Sequence, residues 1–242
     1  MIAKNRKKAL HTRGFLRIMK AQGDDQMSIN SNKTRSEEPA LASKNRYQKV
    51  VITDTAIDKV PRIEYKGFSS EVNDALYRLT RLVLLSSQKN NDSNEVAITC
   101  SLAQDDPSAN FGIAYGEEHS VDVLSDTTSN HLIMSSPECV VIVLHNHPTT
   151  QTLSIEDLRF FLHYATVKVI SVVSNQGTVH YLMKTDKYEY NAANSLYNDC
   201  VAGLEKQSNK KDIYLASLSF LSRCSEVGLF YRVGGRYELQ SY

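Results

Sequence analysis

The sequence is short of the features that mark several protein classes. Its 242 residues include no tryptophan, only five prolines and only four cysteines. No run approaches the roughly 18 apolar residues of a membrane span, and 28 Lys and Arg residues nearly cancel 27 Asp and Glu residues. These absences exclude a membrane-spanning chain, a collagen and a disulfide-rich mini-protein, and they leave no global basic field that would attract nucleic acid. We therefore expect a soluble globular protein of one to two domains.

The four cysteines, Cys100, Cys139, Cys200 and Cys224, form no C-x-x-C pair and lack zinc-knuckle spacing. Cys100 and Cys139 stand in apolar, strand-like runs, where an unpaired cysteine is typical of a core residue. Unpaired cysteines suit a reducing compartment. The first twenty residues are basic and lack the apolar core of a secretory signal. We therefore expect a cytoplasmic protein.

Composition and periodicity divide the chain into three parts. Residues 1–46 are polar and charged without a sustained period, which predicts a disordered tail. Its basic start is typical of a solvated tail, although a basic arm can also contact nucleic acid or a membrane surface. Residues 47–186 are predicted to form the domain that carries the chemistry, and residues 187–242 to form a helical C-terminal extension.

Hydrophobic periodicity and turn residues predict an order of elements for the folded part. A β-like run near 47–53 comes first, and a helix follows that begins at Ser69 or Ser70, either of which can act as N-cap. Strands are predicted at 95–102, 111–115, 121–123, 139–144, 167–174 and 179–183, and further helices at 155–164, 190–206 and 211–226. This succession is typical of an α/β fold with two or three layers.

The stretch from His145 to Asp157 begins where a buried strand ends. His145 and His147 project from the same face of that strand, with backbones about 6–7 Å apart. Pro148 ends the strand, and a polar loop leads to Ser154 and Asp157 at the start of the next helix. Ser154-x-x-Asp157 alone is typical of a capping box. Together, the two imidazoles and the carboxylate supply three ligands of a tetrahedral zinc site and leave the fourth position open for water.

This stretch resembles the signature of the JAMM (MPN+, JAB-domain) zinc metalloproteases, which reads His-x-His-Pro, a loop and Ser-x-x-Asp. The resemblance covers about residues 69–184. It implies a mixed β-sheet flanked by helices, as in the cytidine-deaminase-like fold, and Zn2+ bound by His145, His147 and Asp157. It also implies that Ser154 helps to hold the oxyanion and the geometry of the ligands.

The family also uses an upstream glutamate as general base. Glu95 is the best match, because it directly follows the first helix and opens the first core strand, as in the family. Glu117 and Glu118 are alternatives, but they follow Gly116 in a predicted turn.

The stretch departs from the family signature at one point and is also similar to a second branch of the family. Nine residues separate His147 from Asp157, one fewer than is usual in the eukaryotic deubiquitinating branch, and the difference falls within the loop. The run His145-Asn-His147-Pro148 is also similar to the RadC-like branch and to JAB-domain proteins of bacteria and their mobile elements.

The resemblance implies a metallopeptidase that hydrolyses a peptide or isopeptide bond in a protein, a peptide or a ubiquitin-like conjugate. Two alternatives stay open. One is a RadC-like protein that acts in a DNA or mobile-element context, and the other is a catalytically inactive binding module of the same fold. The sequence does not predict an oligomeric state.

The remaining histidines are predicted to have no role at the metal. His119 and His131 have no ligand partner at useful spacing and are expected at the surface, His131 in a loop. His163 lies six residues beyond Asp157 on the same predicted helix, so it should face away from the metal. His180 falls in a hairpin strand and is expected to be structural.

Overall fold

Helices and strands alternate along the part of the chain that the computed structural model describes, residues 47–205 and 208–234. The predicted disordered tail, residues 1–46, lies outside it. In chain order the elements are α1 (Asp54–Asp58), α2 (Ser70–Asn90), β1 (Val96–Ser101), β2 (Phe111–Tyr115), α3 (Thr127–Ser135), β3 (Val141–His147), α4 (Ile155–His163), β4 (Val167–Ser174), β5 (Val179–Lys184), α5 (Tyr190–Val201), α6 (Lys210–Arg223) and β6 (Leu229–Gly234).

Within the described residues, the strands form one six-stranded mixed sheet in the order β2-β1-β3-β4-β5-β6. Strands β3 and β4 run parallel, and every other neighbouring pair is antiparallel. Helix α4 connects the parallel pair, so the carboxyl end of β3 and the first turn of α4 meet at one edge of the sheet.

Helices cover both faces of the sheet. The inward residues Ile142 and Leu144 of β3 pack in a cluster with α1 and α2, whereas Val141 and Val143 pack with α3, α4, α5 and α6. Every residue of β1 and β3 is buried, as expected for central strands covered on both sides. The predicted α/β class, with a mixed sheet flanked by helices, is confirmed, and the layers number three.

Helix α2 shows how the sequence dictates an element locally. Ser69 is the N-cap, and its side chain accepts a hydrogen bond from Val72 N–H. Apolar residues three or four apart then put one stripe into the core, including Leu76, Leu79 and Val83. The predicted start of this helix is confirmed.

Two predicted strands are absent from the sheet. The run at 47–53 instead crosses to the end of β3, where Val50 N–H donates to the Pro148 carbonyl at 2.7 Å. The run at 121–123 leads into a 3-10 turn, whose cap is Asp122, and then into α3, whose cap is Asp126. His131 therefore lies on a helix rather than in a loop, because side-chain capping outweighs the weak β propensity of this segment.

The C-terminal part is less helical than predicted. Helices α5 and α6 confirm the two helical patterns, but β6 was not predicted, and it pairs along the whole of β5. Residues of α5 and α6 share one buried cluster with α4 and β4, so this part completes the same core. A short edge strand depends on a partner edge that local sequence does not reveal.

Cys139 also departs from expectation. It precedes β3 with a φ of +58° and is partly exposed, so it is not a core strand residue. Cys100 is buried, as predicted, and all four cysteines are unpaired.

Gly228 directly precedes β6 and provides a test of how that strand packs against the rest of the fold. Its φ is +74°, and an added Cβ would overlap the Lys187 carbonyl. We expect Gly228→Ala to lower the free energy of unfolding by about 3 kcal/mol, from left-handed strain plus the clash. Gly67, at φ +81° with nothing within 4 Å of an added Cβ, is the control. Gly67→Ala should lower the free energy of unfolding, measured with urea, by only about 1 kcal/mol. Equal losses in Gly67→Ala and Gly228→Ala would contradict a clash at Gly228.

Candidate metal centre

Two elements bring three ligand-type side chains together at one edge of the sheet. His145 and His147 end β3 on the same face, and Asp157 stands in the first turn of α4. Nε2 of His145 lies 3.1 Å from Nε2 of His147. Asp157 Oδ1 lies 3.2 Å from Nε2 of His145, and Oδ2 lies 3.2 Å from Nε2 of His147. Both imidazoles are buried.

This arrangement fits a metal ion. Zinc bonds of about 2.0–2.1 Å put neighbouring ligand atoms of a tetrahedron about 3.3 Å apart. The two imidazole nitrogens are 3.1 Å apart, and each lies 3.2 Å from its nearer carboxylate oxygen, which is close to that spacing. Two imidazole nitrogens that face each other also need a proton or a cation between them, because their lone pairs repel. The buried group of His145, His147 and Asp157 could therefore bind a metal ion.

A capping box orients the carboxylate of this group. The Ser154 hydroxyl accepts a hydrogen bond from Asp157 N–H at 3.0 Å, and Asp157 Oδ2 accepts one from Ser154 N–H at 2.7 Å. The capping interpretation is confirmed, and the same contacts direct the carboxylate towards the imidazoles. The hydroxyl of Ser154 uses its oxygen for the cap, which leaves its proton to donate.

Opposing effects act on the charge of Asp157. Burial would raise the pKa of its carboxyl, but the adjacent imidazoles of His145 and His147 outweigh burial and hold that pKa well below its usual range. The site therefore presents an anionic ligand between two imidazoles.

Strand register brings Glu95 to the same edge. Strand β1 is antiparallel to β3, and the last pair of this ladder is Ala97 with His145, so Glu95, two residues before Ala97, lies beside the end of β3 that carries the imidazoles. Burial raises the pKa of the Glu95 carboxyl to about 8. The electrostatic effect of His147 lowers this pKa in part, whereas the carboxylates of Asp157 and Glu156 raise it further. Glu95 thus lies within the electrostatic field of the candidate centre.

The two alternative glutamates lie in the turn that follows β2. Glu117 is exposed, and its backbone carbonyl accepts a hydrogen bond from Glu95 N–H at 3.0 Å. The Glu118 carboxylate lies 3.6 Å from Nε2 of His119. The predicted turn is confirmed, and among the residues described no hydrogen bond or ion pair joins either side chain to His145, His147 or Asp157.

The sequence did not predict a series of linked hydrogen bonds that lies beside the candidate metal centre. Val172 of β4 pairs with His145 on one side and with His180 of β5 on the other. Its Nδ1 lies 2.8 Å from the Tyr231 hydroxyl, which lies 3.0 Å from the Thr152 hydroxyl in the loop before α4. Burial, aided by the charge of His147, lowers the pKa of His180 to about 4, so this imidazole is neutral at pH 7. Only the pairing of β6 with β5 brings Tyr231 here.

His119 and His131 are exposed, as predicted, although His131 lies on α3 rather than in a loop. His163, which was predicted to face away from the metal, is also exposed.

Removal of one imidazole tests the ligand assignment. We expect His147→Ala to lose zinc affinity by on the order of a hundredfold or more, because two ligands replace three. Equilibrium dialysis with metal analysis would measure this change. The exposed His163 is the matched control, and His163→Ala should bind as much zinc as the wild type. Stoichiometric zinc in His147→Ala would contradict the assignment.

Burial of Glu95 predicts a pH dependence of stability in the metal-free protein. The pKa rises from 4.5 when the side chain is solvated to about 8 in the fold. Below pH 4.5 the side chain is protonated in the folded and the unfolded state, so its burial costs little free energy. As the pH rises from 4.5 through about 8, only the unfolded state releases the proton readily, and the free energy of unfolding should fall.

Urea unfolding across that window is the measurement. Glu95→Gln should flatten the slope, because an amide does not titrate. The exposed Glu117 serves as control, and Glu117→Gln should retain the slope of the wild type. An unchanged slope in Glu95→Gln would show that Glu95 is not the group that titrates.

Comparison of the chain with protein-family models, with curated proteins and with solved structures gives no match. Within residues 47–205 and 208–234, no helix combines the length and apolar composition needed to cross a membrane.

Proposed function

We propose that the protein is a zinc metallopeptidase of JAMM type that hydrolyses a peptide or isopeptide bond. The observation that carries this proposal is the group of His145, His147 and Asp157, with a buried Glu95 close enough for His147 and Asp157 to act on its pKa. A structural metal site has no need of a buried carboxyl next to its ligands, whereas hydrolysis needs a base at that place.

The three side chains would hold the metal through Nε2 of each imidazole and the Asp157 carboxylate. Three protein ligands are typical of catalytic zinc, whereas structural zinc takes four. Zinc at such a site supplies Lewis acidity and makes hydroxide available near neutral pH.

Glu95 would act as the general base. Its carboxyl would accept a proton from the attacking water and pass it to the leaving nitrogen, a role worth roughly 10²–10⁴-fold in rate. This role requires the ionised carboxylate. In the metal-free protein burial raises the pKa of Glu95 to about 8, so the protonated form predominates at pH 7. A nearby divalent cation favours the ionised form, so loading with metal and activation of Glu95 are linked.

Ser154 would stabilise the developing oxyanion. Its oxygen is held by Asp157 N–H, which fixes the position of the hydroxyl at the start of α4. The remaining proton can donate to a negative oxygen, and loss of one such donor costs about 10²–10³ in rate.

The proposed substrate class rests on the resemblance of the stretch from His145 to Asp157 to the JAMM signature. We propose a protein or peptide, including a ubiquitin-like conjugate, whose amide carbon–nitrogen bond a metal-activated water with one carboxyl base can hydrolyse.

Glu95→Gln separates metal binding from hydrolysis. We expect the zinc-loaded variant to keep stoichiometric metal and to lose about 10²–10⁴-fold in kcat, measured on a panel of peptide and ubiquitin-like fusions with and without a chelator. Glu117→Gln and Glu118→Gln are controls and should cleave like the wild type. Full activity in Glu95→Gln would place the base elsewhere. A zinc-loaded wild type that binds but never cleaves the panel would favour a binding module.

A further inference from the structure

Asn146 lies between the two imidazoles in sequence but faces the opposite side of the sheet. Alternation along β3 turns His145 and His147 towards α4 and turns Asn146 towards α2. Its side chain is fully buried and reaches Ser87 near the end of α2. A buried amide on a central strand is costly unless each polar atom finds a partner, so its contacts indicate why an asparagine stands here.

The contacts of Asn146 enclose Glu95. Oδ1 of Asn146 accepts a hydrogen bond from Val96 N–H at 2.7 Å, and Nδ2 donates to the Asn94 carbonyl at 3.1 Å. Val96 and Asn94 are the residues on either side of Glu95. One side chain therefore holds the backbone before and after Glu95, just beyond the last pair of the β1–β3 ladder, Ala97 with His145.

A second buried amide ties this contact to the metal-ligand strand. Nδ2 of Asn146 donates to Oδ1 of Asn175 at 2.8 Å, and Asn175 N–H donates to the His147 carbonyl at 3.0 Å. Nδ2 of Asn175 also donates to the Ser93 carbonyl at 2.9 Å. The end of β3 and the turn that carries Glu95 are thus joined by a network of buried amides.

We propose that Asn146 is a positioning residue that sets where Glu95 sits relative to the His145–His147 pair. Its oxygen and its nitrogen each bind a backbone group next to Glu95, while its own backbone lies between the two imidazoles. A shorter side chain cannot reach Val96 N–H and the Asn94 carbonyl together, so Glu95 moves relative to the metal ligands when Asn146 is truncated. The effect on catalysis rests on the proposed function, but the placement of Glu95 does not.

Asn146→Ser tests this role, with Asn73→Ser as the matched control. Asn73 is also buried and also binds a backbone amide, Tyr65 N–H at 2.9 Å. It stands near the start of the 21-residue helix α2, whereas Ser87 and the Glu95 turn lie at its end. Both variants lose buried hydrogen bonds, so a general loss of stability is common to them.

Two measurements are independent of peptidase activity. In Asn146→Ser, hydrogen exchange of the Val96 amide should accelerate by about tenfold or more relative to Asn73→Ser. In protein loaded with Co2+, a paramagnetic substitute for zinc, the amide signals of Glu95 and Val96 should shift relative to wild type, because these groups change their distance from the metal. Stoichiometric metal binding should persist, since the ligand side chains occupy the other face.

A third measurement depends on the proposed function. If cleavage is observed, kcat of Asn146→Ser should fall by about 10–100-fold with KM nearly unchanged, because a misplaced base affects the chemical step. Val96 exchange and Co2+ shifts that match Asn73→Ser would overturn the positioning role. If Asn146→Ser does not fold, wild-type exchange decides: a Val96 amide as protected as that of Ile98 supports the role, and an unprotected one overturns it. Absence of cleavage by the wild type bears only on the proposed function.

Discussion

The alternation of side chains at the end of β3 is the constraint on which the candidate site depends. His145 and His147 face α4 and meet Asp157, whereas Asn146 faces α2 and binds the backbone around Glu95. A shift of one residue in the register of β3 would exchange these faces and destroy both sets of contacts. Burial of β3 on both sides prevents such a shift, because every one of its residues is packed.

Local and long-range interactions meet in the first turn of α4. The capping box between Ser154 and Asp157 depends only on two residues that are three apart in the sequence, so it does not need the rest of the fold. What gives it a further use is the parallel β3–α4–β4 connection, which aims the capped carboxylate at the end of β3. The same hydrogen bonds therefore stabilise the helix and orient a metal ligand.

The edge of the site is completed by parts of the chain far from the motif. Tyr231 of β6 bridges His180 of β5 and Thr152 of the loop before α4. Val50, ahead of the first helix, binds the Pro148 carbonyl directly after the second imidazole. The loop that connects the metal-ligand strand to α4 is thus held from both ends of the described chain, which restricts the positions open to Ser154.

The sequence by itself determined the elements whose causes are local: the start of α2 at its serine cap, the buried strand, the hairpin of β4 and β5, and the spacing that sets His145, His147 and Asp157 within reach of one point. It could not show that the end of β1 next to Glu95 lies beside His145, because that requires β1 to run antiparallel beside β3. It also missed α3, although the Asp126 cap of that helix is local, and it missed β6 and the role of Asn146. Only the tertiary structure decided β6 and Asn146, since strand pairing and burial are properties of the whole fold.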